Sequence, residues 1–204
     1  MPRIDDYKQA KALAVQALSK QPLERLARRA GFALASEAAF HAPFIDRSYR
    51  VSHPDFTFVD IDEPGREVPL QEQVLILHYL MAEAGASLSG NWIAYREIPG
   101  AAFYYGAFVK RAVEPLKKVF GNDIAGFQRA SLRLGGATIE EGDGGFEFRP
   151  LPRVPLRLIL WAGDEEFAPE AGILFDASVA DRLGPEDAAW LASLLVYRLM
   201  ARGK

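Results

Sequence analysis

Apolar positions along this chain change their period several times. Over residues 5–19, Tyr7, Ala10, Ala14, Ala17 and Leu18 recur at helical spacing among lysines and glutamines, which predicts an amphipathic helix. Pro22 opens a second short helix, where a missing N–H is tolerated. Its inward positions are Leu23, Leu26, Ala27 and Ala30, and Gly31 suits the left-handed residue that ends it. The two form a helical hairpin over 5–31. After Gly31 the period shortens to two. Tyr49 and Val51, then Phe56, Phe58 and Asp60, fall on one face, and Pro43 and Pro54 interrupt the run. This predicts two or three short antiparallel strands within 38–60. "EPGREVP" is a turn.

"LQEQVLILHYLMAEAG", residues 70–85, is free of proline and apolar nearly all round, which predicts a buried helix ended by Gly85. "NWIAYREIPG" reads as a short strand or a loop. Residues 101–120 read as helix, bent near Pro115. Asn122 is placed to cap a further helix running to about Leu134, with Ile124, Phe127, Ser131 and Leu134 inward and Gly135-Gly136 as its stop. In the last third, "ATIEEGDGGFEFRPLP" is a hairpin about an "EGDGG" turn. "VPLRLILW" is a core strand and "AGILFD" its returning partner. "GPEDAAWLASLLVYRLMARGK" is a final helix, with Pro185, Glu186 and Asp187 in its first turn and Arg198 and Arg202 near its end.

Hairpin strands with about five or six helices, and no βαβ alternation, define an α+β class. The 204 residues predict a single domain: helical hairpin 5–31, strands 38–60, helical middle 70–134, and C-terminal hairpin and helix 137–202. Half the residues are hydrophobic and a quarter charged, the composition of a globular protein. The absence of cysteine removes disulfides, a thiolate nucleophile and cysteine-held zinc or iron–sulfur clusters, and suits the cytoplasm. A formal net charge of −3 is not the footprint of a nucleic-acid binder; "ERLARR" (24–29) reads as a solvated helix face. The N-terminal residues carry no apolar core of signal-peptide type, and no run of about 18 apolar residues predicts a membrane span.

No nucleotide-binding glycine loop, zinc-protease or hydrolase motif is present, and "GDGG" is hairpin turn chemistry. His41, His53 and His78 are scattered: His78 reads as a core histidine, and His53 as part of a turn beside Asp55. Asp60 and Asp62 share a strand face and match a cation pair, but a strand end running into solvent is the simpler reading. "FYYGAF" offers Tyr104 and Tyr105 for stacking a flat ligand beside Gly106; its simpler reading is core. The densest chemistry is "WAGDEEF…LFD". Asp164 is expected to cap turn amides, Glu166 to pair with an arginine among Arg149, Arg153 and Arg157, and Glu165 to be solvated. If the two strands pair, Asp176 lies at the end of the hairpin away from that turn. The candidate ligand-binding residues are therefore Trp161, Asp164, Glu166, Asp176, Tyr104 and Tyr105, with no metal ligands and no catalytic residue assigned.

The run "LPRVPLRLILWAGDEEFAPEAGILFDASVADRLGPEDAAWLASLL" resembles the C-terminal signature of a prokaryotic domain-of-unknown-function family, the 3786 family. The matching residues are Trp161, Asp164 to Phe167, Leu174 to Asp176, and Glu186-Asp187. "ILHYLMAEAGASLSGNWIAYREIPG" is similar as well. The resemblance implies a protein of anaerobes, some members being fused to iron–sulfur domains of the kind seen in corrinoid proteins. Such a domain is absent from this cysteine-free chain. The expected function is a binding or accessory module linked to corrinoid or iron–sulfur one-carbon metabolism, with a small-molecule ligand or a redox or corrinoid protein as partner. The alternative is an enzyme using carboxylates and a divalent cation, and a third reading is an oligomeric scaffold. The cofactor and the oligomeric state are left open.

Overall fold

The alternating run before Pro64 and the one after Gly136 build separate antiparallel sheets, one in each of two units into which the contacts of the chain divide. The computed structural model describes residues 4–83 and 87–203. The first unit holds Met1–Ser87 with Asp181–Leu183, the second Leu88–Ala180 with Gly184–Lys204. Among the described residues, six helices longer than one turn accompany sheets of four and five strands, an α+β fold.

In the first unit, α1 (Ile4–Leu18) and α2 (Leu23–Ala30) both pack on α3 (Leu70–Met81). Of the stripe expected on α1, Ala14 and Leu18 are buried, while Ala17 is exposed. Gly31 takes the left-handed conformation that ends α2, φ 76°, and its N–H returns to Ala27 and Arg28 carbonyls. α3 buries Val74, Leu75, Ile76, Leu77, Tyr79 and Leu80, so its apolar circumference does reflect burial on several sides. It stops at Met81, and the expected end at Gly85 lies outside the described residues. Strands β1 (Ala33–Ser36), β2 (Ala39–Phe44), β3 (Arg47–Ser52) and β4 (Phe58–Asp60) form a meander in that order. Tyr49 pairs with Asp60 and Val51 with Phe58, which puts these four on one face as their spacing implies. Phe56 is buried but stands outside the strand with φ 49°.

In the second unit the sheet order is β5 (Trp92–Ala94), β9 (Glu170–Asp176), β8 (Val154–Trp161), β7 (Gly144–Leu151) and β6 (Ala137–Ile139). Leu156, Leu158 and Leu160 share the face that Phe127, from α6 (Ile124–Arg133), meets edge-on through Phe146, at 5.4 Å between rings. Arg157, Ile159 and Trp161 alternate onto the opposite face. The region 101–120 breaks into pieces: α4 (Tyr105–Phe108), a π-helical turn Val109–Val113, and α5 (Glu114–Phe120). The π turn ends two residues before Pro115, whose ring cannot supply the N–H that a continuous α-helix needs. Asp123, not Asn122, caps α6: its Oδ1 accepts the Gly126 amide at 2.8 Å. Asp123, one place on, takes the cap because its backbone lies at the entry to the helix. α7 (Pro185–Arg202) closes the unit, with Leu191, Leu195 and Leu199 fully buried.

Candidate functional site

The β8–β9 hairpin sets the geometry of the acidic cluster. Trp161 pairs with Glu170 beside the turn, and Leu156 pairs with Phe175 at the other end. Asp176 thus lies six residues along β9 from Glu170, roughly 20 Å at strand rise. Trp161, Asp164 and Glu166 cluster at one end of the hairpin, and Asp176 is not among them. Tyr104 and Tyr105 lie elsewhere, at the start of α4.

At the turn end, Gly163 is required by space: a Cβ there would lie 2.7 Å from the Pro169 side chain. Asp164 follows and does what its position predicts. Its Oδ1 accepts the amides of Glu166 (2.8 Å) and Phe167 (2.7 Å), while its own N–H donates to the Phe167 carbonyl at 2.9 Å. The Phe167 and Glu166 amides hold the Asp164 carboxyl below its ordinary range. Asp143, from the turn between β6 and β7, secures the same end by accepting the Ala162 amide at 2.7 Å. The turn holds Glu165, Glu166 and Phe167 out in solvent, Phe167 being 69% exposed. Trp161 lies over Gly172, whose added Cβ would stand 3.2 Å from the indole, and is 43% exposed. Asn122 and residues 163–169 line a groove of about 410 Å³.

The expected arginine partner of Glu166 is a correction. Glu166 is exposed, and Arg157 is engaged by Glu141 and Glu147 while its guanidinium lies 4.0 Å from the Trp92 ring. The strand register explains this: Glu147 stands directly opposite Arg157, whereas the turn begins beyond Trp161. Arg149 approaches the same Glu147 at 3.9 Å.

Asp176 has a different role. It is 2% exposed, and its Oδ1 accepts the Ser89 amide and hydroxyl, both at 3.0 Å, and the Ser178 amide and hydroxyl at 2.9 and 2.6 Å. Oδ2 accepts the Gly90 amide at 2.7 Å. Burial alone would push this carboxyl up, but the donors of Ser178, Ser89 and Gly90 outweigh it and bring it down to about 2. It is a saturated clamp that ties the segment before β5 to the end of β9. The sequence signal was the short hydroxyl side chains in "SLSGN" and "DAS", which a count of carboxylates passes over.

The core reading of "FYYGAF" holds for Phe108 alone, which is buried, whereas Tyr104 and Tyr105 are half-buried and Phe103 and Gly106 exposed. Tyr95 stacks on Phe108 at 4.2 Å and 9°, Phe175 follows at 6.0 Å, and Arg96 lies 3.7 Å over the Tyr105 ring. Tyr95 is 1% exposed and donates its hydroxyl to the Pro185 carbonyl at 2.8 Å. Burial, then Tyr104 and Glu186, raise Tyr95 to about 12. Tyr104 bonds Glu186, which raises its phenol. Phe103, 88% exposed, is the aromatic of this run that faces water.

The strand-end reading of Asp60 is also corrected. It is 1% exposed, bound to Arg47, and accepts the amides of Asp62 and Glu63 at 3.1 and 3.2 Å. Burial opposes ionisation, but Arg47 and the Glu63 and Asp62 amides hold the carboxyl low. Its carboxylate is already neutralised by a guanidinium, which leaves no need for a shared cation with Asp62. His41 is exposed opposite Arg50, and His53 Nε2 lies 3.0 Å from the Gln21 carbonyl. Among the described residues no three His, Asp or Glu side chains are placed to hold one metal ion, and no helix is long and apolar enough to cross a membrane.

The fold and the hairpin place this protein in an α+β class built on two antiparallel sheets. Residues 22–198 match the family described as Domain of unknown function (DUF3786), and the chain belongs to that family. Neither the curated proteins nor the solved structures contain a significant match to it.

Proposed function

We propose that this protein is a binding or accessory module that recognises the basic surface of a partner protein through the turn end of the β8–β9 hairpin. One observation carries the reading. The Asp164 cap holds Glu165, Glu166 and Phe167 in solvent beside Trp161, and a Phe that is 69% exposed has no folding benefit there. Exposed aromatics give an interface its anchoring area, and carboxylates without an arginine of their own select a cationic partner. The 3786-family resemblance adds the partner class: a corrinoid or iron–sulfur protein of one-carbon metabolism in an anaerobe, working in the cytoplasm.

The cation-dependent enzyme is the weaker reading. It needs about three oxygen ligands at one point. Asp164 already spends Oδ1 on two amides, and Asp176 is saturated at the far end of the hairpin. The test is metal analysis and an absorbance spectrum of the protein purified from its native host. The accessory reading expects neither a chromophore nor a stoichiometric divalent metal. One equivalent of Mg²⁺ or Mn²⁺, lost on Glu165→Gln with Glu166→Gln, would replace it with the enzyme.

A further inference from the structure

A second site lies in the first unit, independent of the hairpin. A groove of about 710 Å³ runs along α1 and the start of α3. Its apolar lining comes from Ile4, Ala12, Val15 and Leu70. Lys8 and Lys11 stand one turn apart on the α1 wall. Lys11 is half-buried and donates to Gln73 Oε1 at 2.6 Å. The Gln73 amide is itself fixed, because its Nε2 donates to the Val68 carbonyl at 2.8 Å. Lys11 Nζ also sits 5.8 Å from the Phe58 ring centroid. Among the described residues no carboxylate forms an ion pair with Lys8 or Lys11.

An ammonium partly withdrawn from water, given one neutral acceptor and a ring face, retains unspent donors on the wall of a groove that also offers the aliphatic surface of Ile4, Ala12, Val15 and Leu70. Burial lowers the Lys11 pKa, and no neighbouring anion restores it. From this juxtaposition we propose that the groove binds a small monocarboxylate with an aliphatic body. The carboxylate is held by Lys11 and Lys8, and the chain lies on Val15, Leu70 and Ile4. A single negative charge is specified because Asp55 and Glu67, both exposed, also border the groove and would repel a polyanion. Nothing in the hairpin site requires this groove, and the two can fail separately.

The test is calorimetric titration of the full chain with octanoate, 1-octanol and octyltrimethylammonium, with amide NMR shifts to locate the site. Octanoate should bind and shift resonances of α1 and the start of α3. Lys11→Met keeps the aliphatic stem and removes the charge. It should leave the melting temperature near that of wild type and weaken octanoate by about tenfold, the scale of one charge-assisted hydrogen bond. Lys8→Met should weaken it less, and 1-octanol should bind Lys11→Met and wild type equally. Glu165→Gln with Glu166→Gln should leave octanoate affinity unchanged. Absence of octanoate binding, equal binding of octyltrimethylammonium, or an affinity that survives Lys11→Met would each overturn the proposal.

Discussion

Gly90 donates its backbone N–H to Oδ2 of Asp176 at 2.7 Å, joining positions 86 residues apart in the chain. Through that bond and those from Ser89 and Ser178, a carboxylate that looks like part of an acidic cluster becomes the anchor of the edge strand β5. Trp92 of β5 pairs directly with Asp176, so the clamp fixes the register of the strand that borders the sheet.

Asp176→Asn should therefore destabilise the second unit, because an amide brings its own donors to a site already filled with donors. The pH dependence has a definite sign. The folded pKa of about 2 lies below the ordinary value of 3.8, so the contribution is complete above the unfolded pKa and is lost as pH falls toward 2. The shift corresponds to about 2 kcal/mol. The stability difference between wild type and Asp176→Asn, measured by urea unfolding, should be flat above about pH 5 and shrink by that amount by about pH 2.

The three acids after Trp161 should behave unequally. Asp164→Asn keeps an oxygen acceptor for the Glu166 and Phe167 amides but removes its negative charge, and should lower the unfolding midpoint slightly, an effect that fades on acidification as the wild-type carboxyl is itself protonated. Glu165→Gln and Glu166→Gln should each fall within about 0.5 kcal/mol of wild type in chemical denaturation, as exposed changes without a partner usually do. A large loss for Glu166→Gln would restore the buried arginine partner that the structure replaces with Glu141 and Glu147 on Arg157.

Much of this arrangement was legible from residue order because local rules govern it. Alternation placed Tyr49 and Val51 on one face with Phe58 and Asp60, and a carboxylate just after Gly163 was bound to meet turn amides. The pairing of "VPLRLILW" with "AGILFD" also put Asp176 at the far end. What escaped was set by distant chain. The Ser89 and Gly90 donors are nearly ninety positions from Asp176. Arg47 reaches Asp60 across a hairpin, and Glu147 reaches Arg157 across a strand pair. A sequence shows that a charge is present, but strand register decides which opposite charge it meets. Strand β1 was missed for another reason: "ALAS" lacks the β-branched and aromatic residues that mark a strand, and it is defined by pairing with β2.

Leu77→Asn tests the buried centre of the first unit. Leu77 is fully buried in α3, so the exchange leaves a void and places an amide in an apolar site, costing about 3–5 kcal/mol. Thermal melting should show a large fall or loss of soluble protein, and an unchanged midpoint would mean that α3 is not core.

Gly142→Ala probes the β6–β7 turn. Gly142 has φ +64°, and a Cβ would lie 2.6 Å from the Leu160 carbonyl oxygen. The left-handed conformation alone costs a residue with a side chain about 1–2 kcal/mol, and the backbone contact adds to it. Guanidinium unfolding should show a loss of at least that size, whereas Gly65→Ala, with open space around it, should change little.

The central claim is that the turn end of the β8–β9 hairpin recognises a basic protein surface. Its most direct test is a titration of a purified corrinoid iron–sulfur protein with wild type and with the combined Glu165→Gln, Glu166→Gln, Phe167→Ser variant, at low and at moderate salt. The account predicts saturable wild-type binding that weakens with salt and falls by about tenfold or more in the variant, while the variant's melting temperature stays near that of wild type. Absence of wild-type binding, or equal binding by the variant, would contradict it.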